Sequence, residues 1–179
     1  MTCEHNKLRF RRIQKFNICQ LHFLSWINMN EPSLSKVPLA CEQPLVTILA
    51  TSKVGDDHAV STIKGGNSAY RKKPCSDCPW KVSSTGVFPA KAFEHSAITA
   101  FDMSSHQFGC HQSGVSKPAA CAGYLLAGSA HNLATRLARI KGEMKDDVQN
   151  GGNELYSSYR EMAIGNGVSP DNPILSRCR

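Results

Sequence analysis

Aromatic residues are scarce in this chain, at 7% of 179 residues, although the hydrophobic fraction reaches 41%. A core with few large rings buries little apolar surface, so a bound metal would help to stabilise a small fold. The sequence also lacks an internal repeat and a glycine-rich phosphate loop. These absences argue against a repeat protein and against a nucleotide-binding P-loop. The length suits one domain with some additional chain.

Long apolar runs are missing as well. Residues 16–28 are partly apolar, but Asn17, Gln20 and His22 interrupt them, and the run is too short to span a membrane. We find no good export signal, so we expect a cytoplasmic protein with no membrane association. In a reducing compartment, the 8 cysteines point to metal or redox chemistry more than to disulfides.

The net charge of +7 is unevenly distributed along the chain. Residues 1–28 hold five lysines and arginines against one glutamate, which gives 5 − 1 = +4. This segment is either an extension upstream of a true start at Met29 or a basic arm that binds an anionic partner. Prolines and glycines follow, with one possible strand over residues 45–50. We therefore predict a largely disordered extension and linker over residues 1–69.

Residues 70–179 read as the organised domain, and their periodicity predicts a mainly α fold. We expect helices near residues 90–101, 118–127 and 130–144, and a last helix capped by Asn153. The third should be capped by Ser129 and pack through its apolar side chains, which are Leu133, Leu137 and Ile140. The predicted architecture is a small irregular helical domain whose loops gather around a cysteine site, preceded by a long flexible N-terminal extension.

Four cysteines of this domain have the spacing C-x2-C-x31-C-x10-C, and they are Cys75, Cys78, Cys110 and Cys121. Four thiolates can close a tetrahedral shell around zinc or hold a [4Fe–4S] cluster. Zinc is the commoner closed site. A cysteine followed by proline, and the lack of a second closely spaced pair, also fit a cluster. We expect zinc, with [4Fe–4S] as the alternative.

Other interpretations of these thiols stay open. One alternative is that they are free buried cysteines. Another is that the first pair is a redox couple, although Pro79 directly after Cys78 argues against a thioredoxin-like helix there. His111 is a candidate hydrogen-bonding neighbour of a thiolate or a replacement ligand. Cys178 is a spare ligand. Cys3, Cys19 and Cys41 lack partners at ligand spacing, and no residue is predicted to be catalytic.

A basic stretch in the third predicted helix is the candidate nucleic-acid contact, formed by Arg136, Arg139 and Lys141. The simpler interpretation is a solvated helix face. The predicted function is therefore a metal-binding module that binds nucleic acid or protein, or has a regulatory role. The alternative is an iron–sulfur or thiol protein that uses the same cysteines for redox chemistry or catalysis.

Several linked motifs resemble a family of uncharacterised bacterial and phage proteins, the domain-of-unknown-function family 6283. The resemblance covers about residues 70–179, and residues 1–69 show no counterpart to the family. It implies a shared cysteine site at the same four positions and brings no established activity. The motifs are Lys73-Pro74-Cys75-x-x-Cys78-Pro79-Trp80-Lys81, Gly86-Val87-Phe88-Pro89, Phe108-x-Cys110-His111, Cys121-Ala122-Gly123-Tyr124-Leu125-Leu126, His131-Asn132-Leu133-Ala134 and Tyr159-Arg160-Glu161-Met162-Ala163.

Overall fold

The computed structural model describes residues 46–65 and 68–179. They belong to one compact unit, Gln43–Arg179. The basic segment 1–28 and the cysteines Cys3, Cys19 and Cys41 lie outside the described residues. None of the helices in the described part has the length and apolar character needed to cross a bilayer.

A β-hairpin precedes the cysteine-containing part of the chain. Strand β1, Thr47–Lys53, pairs antiparallel with strand β2, Ala59–Lys64, and the register shifts between Ile48 and Ala50. Both strands are largely exposed, and Val54 in the turn is the one buried residue within 46–65. The hairpin is therefore held to the rest of the unit by its buried turn residue and by contacts of β2 with the helix Ala90–Ser96.

This hairpin makes the prediction of a mainly α fold wrong, because the described residues form a mixed structure. The predicted strand over residues 45–50 corresponds to β1, but β2 lies in a segment that we interpreted as linker. Its sequence, AVSTIK, contains valine, threonine and isoleucine, which are β-branched and favour strands. Nearby prolines and glycines favour a linker and so oppose this signal in the sequence.

Four short α-helices are present in the described residues, and each is shorter than the sequence predicts. The tighter 3-10 geometry replaces the end of the first predicted helix over Ala97–Ala100. The helices are α1, Ala90–Ser96; α2, Ala122–Ala127; α3, Leu133–Ile140; and α4, Tyr159–Gly165. The 3-10 segments are Val82–Ser84, Ala97–Ala100, His111–Ser113 and Pro173–Arg177.

The packing face of α3 differs from its prediction. Thr135 and Ala138 are buried, whereas Leu137 is 43% exposed and Ile140 is 81% exposed. The helix begins at Asn132, whose side chain accepts a hydrogen bond from the Thr135 N–H. Ser129, the predicted cap, instead donates to the Leu125 carbonyl and closes the end of α2. The prediction followed hydropathy, but the small and polar side chains are those that fit against the core.

The core surrounds Trp80, which is fully buried. Its ring contacts those of Phe108, Tyr124 and Tyr159, with centroid separations of 6.1, 6.1 and 6.0 Å. The few aromatic residues of the domain are thus concentrated in one cluster. The same cluster contains the four predicted cysteine ligands, together with Phe93, Met162 and Leu175.

Candidate metal centre

Two tight turns present the first cysteine pair. The Cys78 N–H donates to the Cys75 carbonyl at 3.3 Å, and the Lys81 N–H donates to the Cys78 carbonyl at 2.9 Å. The segment is then fixed by a hydrogen bond of 3.0 Å from the Tyr156 N–H to the Trp80 carbonyl. These contacts direct both thiols of the pair into the core.

The second pair comes from two antiparallel segments joined by a bridge between Gly109 and Ala120. The Cys110 N–H donates to the Ala119 carbonyl at 2.8 Å, and the Cys121 N–H donates to the Phe108 carbonyl at 2.9 Å. This pairing brings Cys110 and Cys121 close together although ten residues separate them in sequence. Cys121 is the N-cap of α2, one position before the first turn in which we expected it.

Each thiol of the first cysteine pair lies close to one thiol of the second pair. Cys78 Sγ lies 3.4 Å from Cys121 Sγ, and Cys75 Sγ lies 3.9 Å from Cys110 Sγ. All four are free thiols and buried, and Cys78 and Cys121 are the most enclosed at 0% and 1% exposure. The sequence prediction that these cysteines come together is consistent with these distances. Their role as ligands stays a prediction.

The local environment favours a thiolate at Cys78. A hydrogen bond from the Cys121 thiol, assisted by the backbone N–H groups of Trp80 and Gly123, lowers the pKa of Cys78 to about 7. Burial, followed by the neighbouring Cys110 and Cys78, raises the pKa of Cys75 to about 12. The hydrogen bond with Cys78, and then burial, raises the pKa of Cys121. The site therefore favours ionisation of Cys78 over ionisation of Cys75 and Cys121.

Gly123 is a residue of the site that the sequence analysis missed. A Cβ atom at this position would overlap Trp80 Cβ and lie 3.0 Å from Cys78 Sγ. Glycine therefore permits the backbone of α2 to approach the Cys78 sulfur and present an N–H to it. Its position two residues after Cys121 is the signal in the sequence that could have identified it.

The two residues considered as additional ligands have different places. His111 Nδ1 lies 3.7 Å from Cys75 Sγ, and its ring packs edge-on against Phe88 at 5.1 Å. Burial lowers the pKa of His111, which favours a neutral ring able to hydrogen-bond a thiolate. Cys178 instead hydrogen-bonds the carbonyls of Ile174 and Ala97, at 3.5 and 3.8 Å, elsewhere in the core.

The predicted basic contact is only partly available to a ligand. Arg136 and Lys141 are exposed. Arg139 pairs with Asp146, with Nε and Oδ1 separated by 3.2 Å, and its Nη2 reaches the Leu125 carbonyl at 3.4 Å. The Arg139 guanidinium therefore joins the end of α2 to the segment after α3.

The cysteines form two close pairs and not a complete tetrahedral set of four ligands. Among residues 46–65 and 68–179, no group of three or more His, Cys, Asp or Glu side chains is arranged as a metal site. A cation with a preference for thiolates would have to draw the two pairs together. The same four thiols could alternatively form disulfides, because sulfur separations of 3.4 and 3.9 Å are short enough for small movements to close them.

The comparisons with known proteins agree with the motifs. The model of a family of unknown function, DUF6283, matches residues 70–179. No curated protein and no solved structure gives a significant match. The matched segment includes all four clustered cysteines, Gly123 and the aromatic core, and it excludes the β-hairpin. The chain therefore belongs to the DUF6283 family, a family of unknown function.

Proposed function

We propose that the protein is a metal-binding module in which Cys75, Cys78, Cys110 and Cys121 hold one zinc ion. The observation that supports this most directly is that four buried thiols of one core form two close pairs, each joining two distant segments, with Sγ–Sγ separations of 3.4 and 3.9 Å. A tetrahedral zinc site with Zn–S bonds of about 2.3 Å requires sulfurs about 3.8 Å apart. The two observed separations lie close to this value.

The same distances favour one ion over a [4Fe–4S] cluster. Each thiolate of a cubane binds its own iron at a separate corner, so the four sulfurs lie outside the cluster and further apart than around one ion. Accommodating a cluster would require the Cys78–Cys121 and Cys75–Cys110 pairs to separate inside a packed core. The chemistry of four thiolates also suits zinc, which takes closed four-cysteine sites in structural modules.

The proposed role of the ion is structural, and the module has a binding or regulatory function in the cytoplasm. A reducing compartment suits five free thiols among the described residues. Structural zinc contributes on the order of 10 kcal/mol in zinc-finger peptides at neutral pH. A contribution of this size would exceed the usual net stability of a small domain, so the fold of residues 70–179 should depend on the metal.

Metal analysis of the full chain, purified anaerobically, tests the proposal. We expect one zinc per chain and no broad absorption near about 400 nm, which would indicate Cys-ligated iron. Single substitution of Cys75, Cys78, Cys110 or Cys121 by serine should lower metal content and melting temperature together. The matched control is Cys178→Ser, which changes a half-buried thiol of the same core without removing a proposed ligand.

Two results would refute the four-thiol centre. Full metal content and stability in Cys110→Ser or Cys121→Ser would show that the substituted cysteine is not a ligand. The variant His111→Ala would then test whether His111 is the ligand in its place. A metal-free wild-type chain with unchanged stability would show that the core needs no ion.

A thiol redox function is a second candidate, because Cys78 and Cys121 are 3.4 Å apart and the pKa of Cys78 is lowered to about 7. Two thiols would lose two electrons and two protons to an oxidant and form one disulfide. The near-complete burial of both sulfurs restricts access for that oxidant. Quantitative formation of a reversible Cys78–Cys121 disulfide in a zinc-free chain, identified by mass spectrometry, would favour this candidate over the structural metal.

A further inference from the structure

Helix α3, Leu133–Ile140, points its large apolar side chains away from the core. Thr135 and Ala138 are buried, whereas Leu137 is 43% exposed and Ile140 is 81% exposed. An amphipathic helix normally buries its apolar stripe. In α3 the cap residue Asn132 and the small residues face the core instead. The side chains of Leu137 and Ile140 are therefore exposed to water.

These side chains form one stripe because of helical geometry. Leu133, Leu137 and Ile140 are spaced i, i+4 and i+7, and side chains with this spacing share a face. Leu133 is half-buried at the start of the stripe. Met103, 51% exposed, extends the apolar surface beside it, since Arg136 Nη1 lies 3.8 Å from Met103 Sδ. We call this surface the α3 stripe.

Basic side chains border the α3 stripe on both sides. Arg136 and Lys141 are exposed and project from positions on either side of the apolar line. The nearby acidic groups are already paired. Asp146 lies 3.2 Å from Arg139, and Asp102 lies 3.7 Å from the guanidinium of Arg179. The α3 stripe therefore combines exposed apolar area with the exposed basic side chains of Arg136 and Lys141, which is typical of a binding surface.

The charge distribution selects one type of partner. A second copy of the chain would place the same basic residues against each other, and residues 1–28 also carry an excess of lysine and arginine. Nucleic acid would need basic groups at the centre of the contact, where Leu137 and Ile140 lie. We propose that the α3 stripe binds an amphipathic helix of a partner protein whose apolar residues are flanked by Asp and Glu. This inference does not depend on what the four thiols bind.

The test uses the full chain and two matched fluorescent helical peptides. Both carry leucine at i, i+4 and i+7, one with glutamate and the other with lysine at the flanking positions. We expect the glutamate peptide to bind about tenfold or more tightly than the lysine peptide, with an affinity that falls as salt rises. Ile140→Ser and Leu137→Ser should each weaken binding by about tenfold, as at an apolar hot spot.

Val115→Ser is the control for these variants. Val115 is 43% exposed, as Leu137 is, but lies in a different loop, so its substitution should leave the affinity unchanged. Metal content and melting temperature should stay at wild-type values in all three variants, because none of these side chains is buried. Failure of peptide binding with these values unchanged would leave the metal proposal intact.

Other outcomes would overturn the partner proposal. These include equal binding of the two peptides, no binding at low salt, or an Ile140→Ser variant that binds as wild type. If the chain self-associates and Ile140→Ser abolishes this self-association, the stripe binds a second copy of the chain. Peptide binding that appears only after removal of residues 1–28 would assign it to that segment. Displacement of the peptide by duplex DNA, with Arg136→Ala weakening the DNA more than Ile140→Ser, would indicate nucleic acid.

Discussion

The contact between Gly123 and Trp80 limits what the site tolerates. A Cβ atom at position 123 would overlap Trp80 Cβ and crowd Cys78 Sγ at 3.0 Å. We therefore predict that Gly123→Ala lowers stability by about 1–3 kcal/mol, the usual cost of overpacking a core. Thermal unfolding followed by circular dichroism measures this, and metal analysis should show reduced zinc because the Cys78 thiolate is displaced.

Gly109→Ala is the matched control for this prediction. Gly109 directly precedes Cys110, and Gly123 follows Cys121 by two residues, so both lie beside a proposed ligand. A Cβ atom at position 109, however, meets nothing within 4 Å. Its stability should stay near that of the wild type. A Gly123→Ala chain with unchanged melting temperature and zinc content would mean that α2 can shift away from Trp80 at little cost.

The thiols also predict how metal binding responds to pH. Burial and neighbouring thiols raise the pKa of Cys75 to about 12, and the Cys78 contact raises the pKa of Cys121. These groups hold protons at neutral pH without a metal, and zinc must displace them. Apparent zinc affinity should therefore rise with pH and weaken steeply on acidification. Calorimetry in buffers of different ionisation enthalpy should detect protons released on binding.

At the residue scale, spacing predicts which cysteines assemble but not how. The Cys-x-x-Cys pair suggested one ligand pair from one turn, whereas the sulfur contacts join Cys78 to Cys121 at 3.4 Å and Cys75 to Cys110 at 3.9 Å. The difference comes from the bridge between Gly109 and Ala120, a contact that no local pattern encodes. Glycine at position 123 was equally hidden, because its requirement comes from Trp80.

At the scale of elements, Asn132 is the residue on which α3 depends. Its Oδ1 accepts from the Thr135 N–H at 2.9 Å, and its Nδ2 donates to the His106 carbonyl at 2.7 Å. Asn132 is 1% exposed. Asn132→Ala removes the cap and leaves the carbonyl of His106 without this donor, so we predict a loss of about 2–3 kcal/mol in urea unfolding.

Ser158→Ala, at the cap of α4, is the comparison for Asn132. The Ser158 hydroxyl accepts from the Glu161 N–H at 3.2 Å at an exposed position, so water can replace it. We expect a cost of about 1 kcal/mol. Equal costs for both substitutions would show that the second hydrogen bond of Asn132, to the His106 carbonyl, adds no stability.

Helix boundaries were the least predictable elements, for a physical reason. Ser129 has the composition of a cap, but its hydroxyl donates to the Leu125 carbonyl, and the following Asn132 takes the cap position. Hydropathy also placed the wrong face of α3 inside. The core accepts Thr135 and Ala138, and a one-dimensional pattern contains no information about the shape of the space that it offers. In contrast, large side chains of α1 and α4 do face the core, since Phe93, Tyr159 and Met162 are buried.

At the scale of the whole molecule, the hairpin joins the cysteine-containing part through its turn and through contacts of β2 with α1. Val54 is buried there, and the His58 ring meets the Phe88 ring edge-on at 5.7 Å. We predict that Val54→Ala increases hydrogen exchange of the β1 and β2 amides and costs about 1–2 kcal/mol locally. Zinc content should not change, since the proposed ligands lie outside the hairpin.

Leu49→Ala serves as the control, because Leu49 is 60% exposed on β1 and its substitution preserves the turn. Exchange in β1 and β2 should then stay at the wild-type rate. If Val54→Ala changed exchange around Cys110 and Cys121 as well, the hairpin and the cysteine cluster would unfold as one cooperative unit.

The four thiols and the aromatic cluster pack in one core, and this affects how the chain folds during biosynthesis. A ribosome releases Cys75 and Cys78 well before Cys121, and Tyr159, Met162 and Leu175 emerge later still. Until then the early thiols have neither their partner thiols nor the rings that enclose them. A growing chain would expose nucleophilic sulfur to oxidants and competing cations, and its yield should depend on the redox state and zinc supply of the cell during translation.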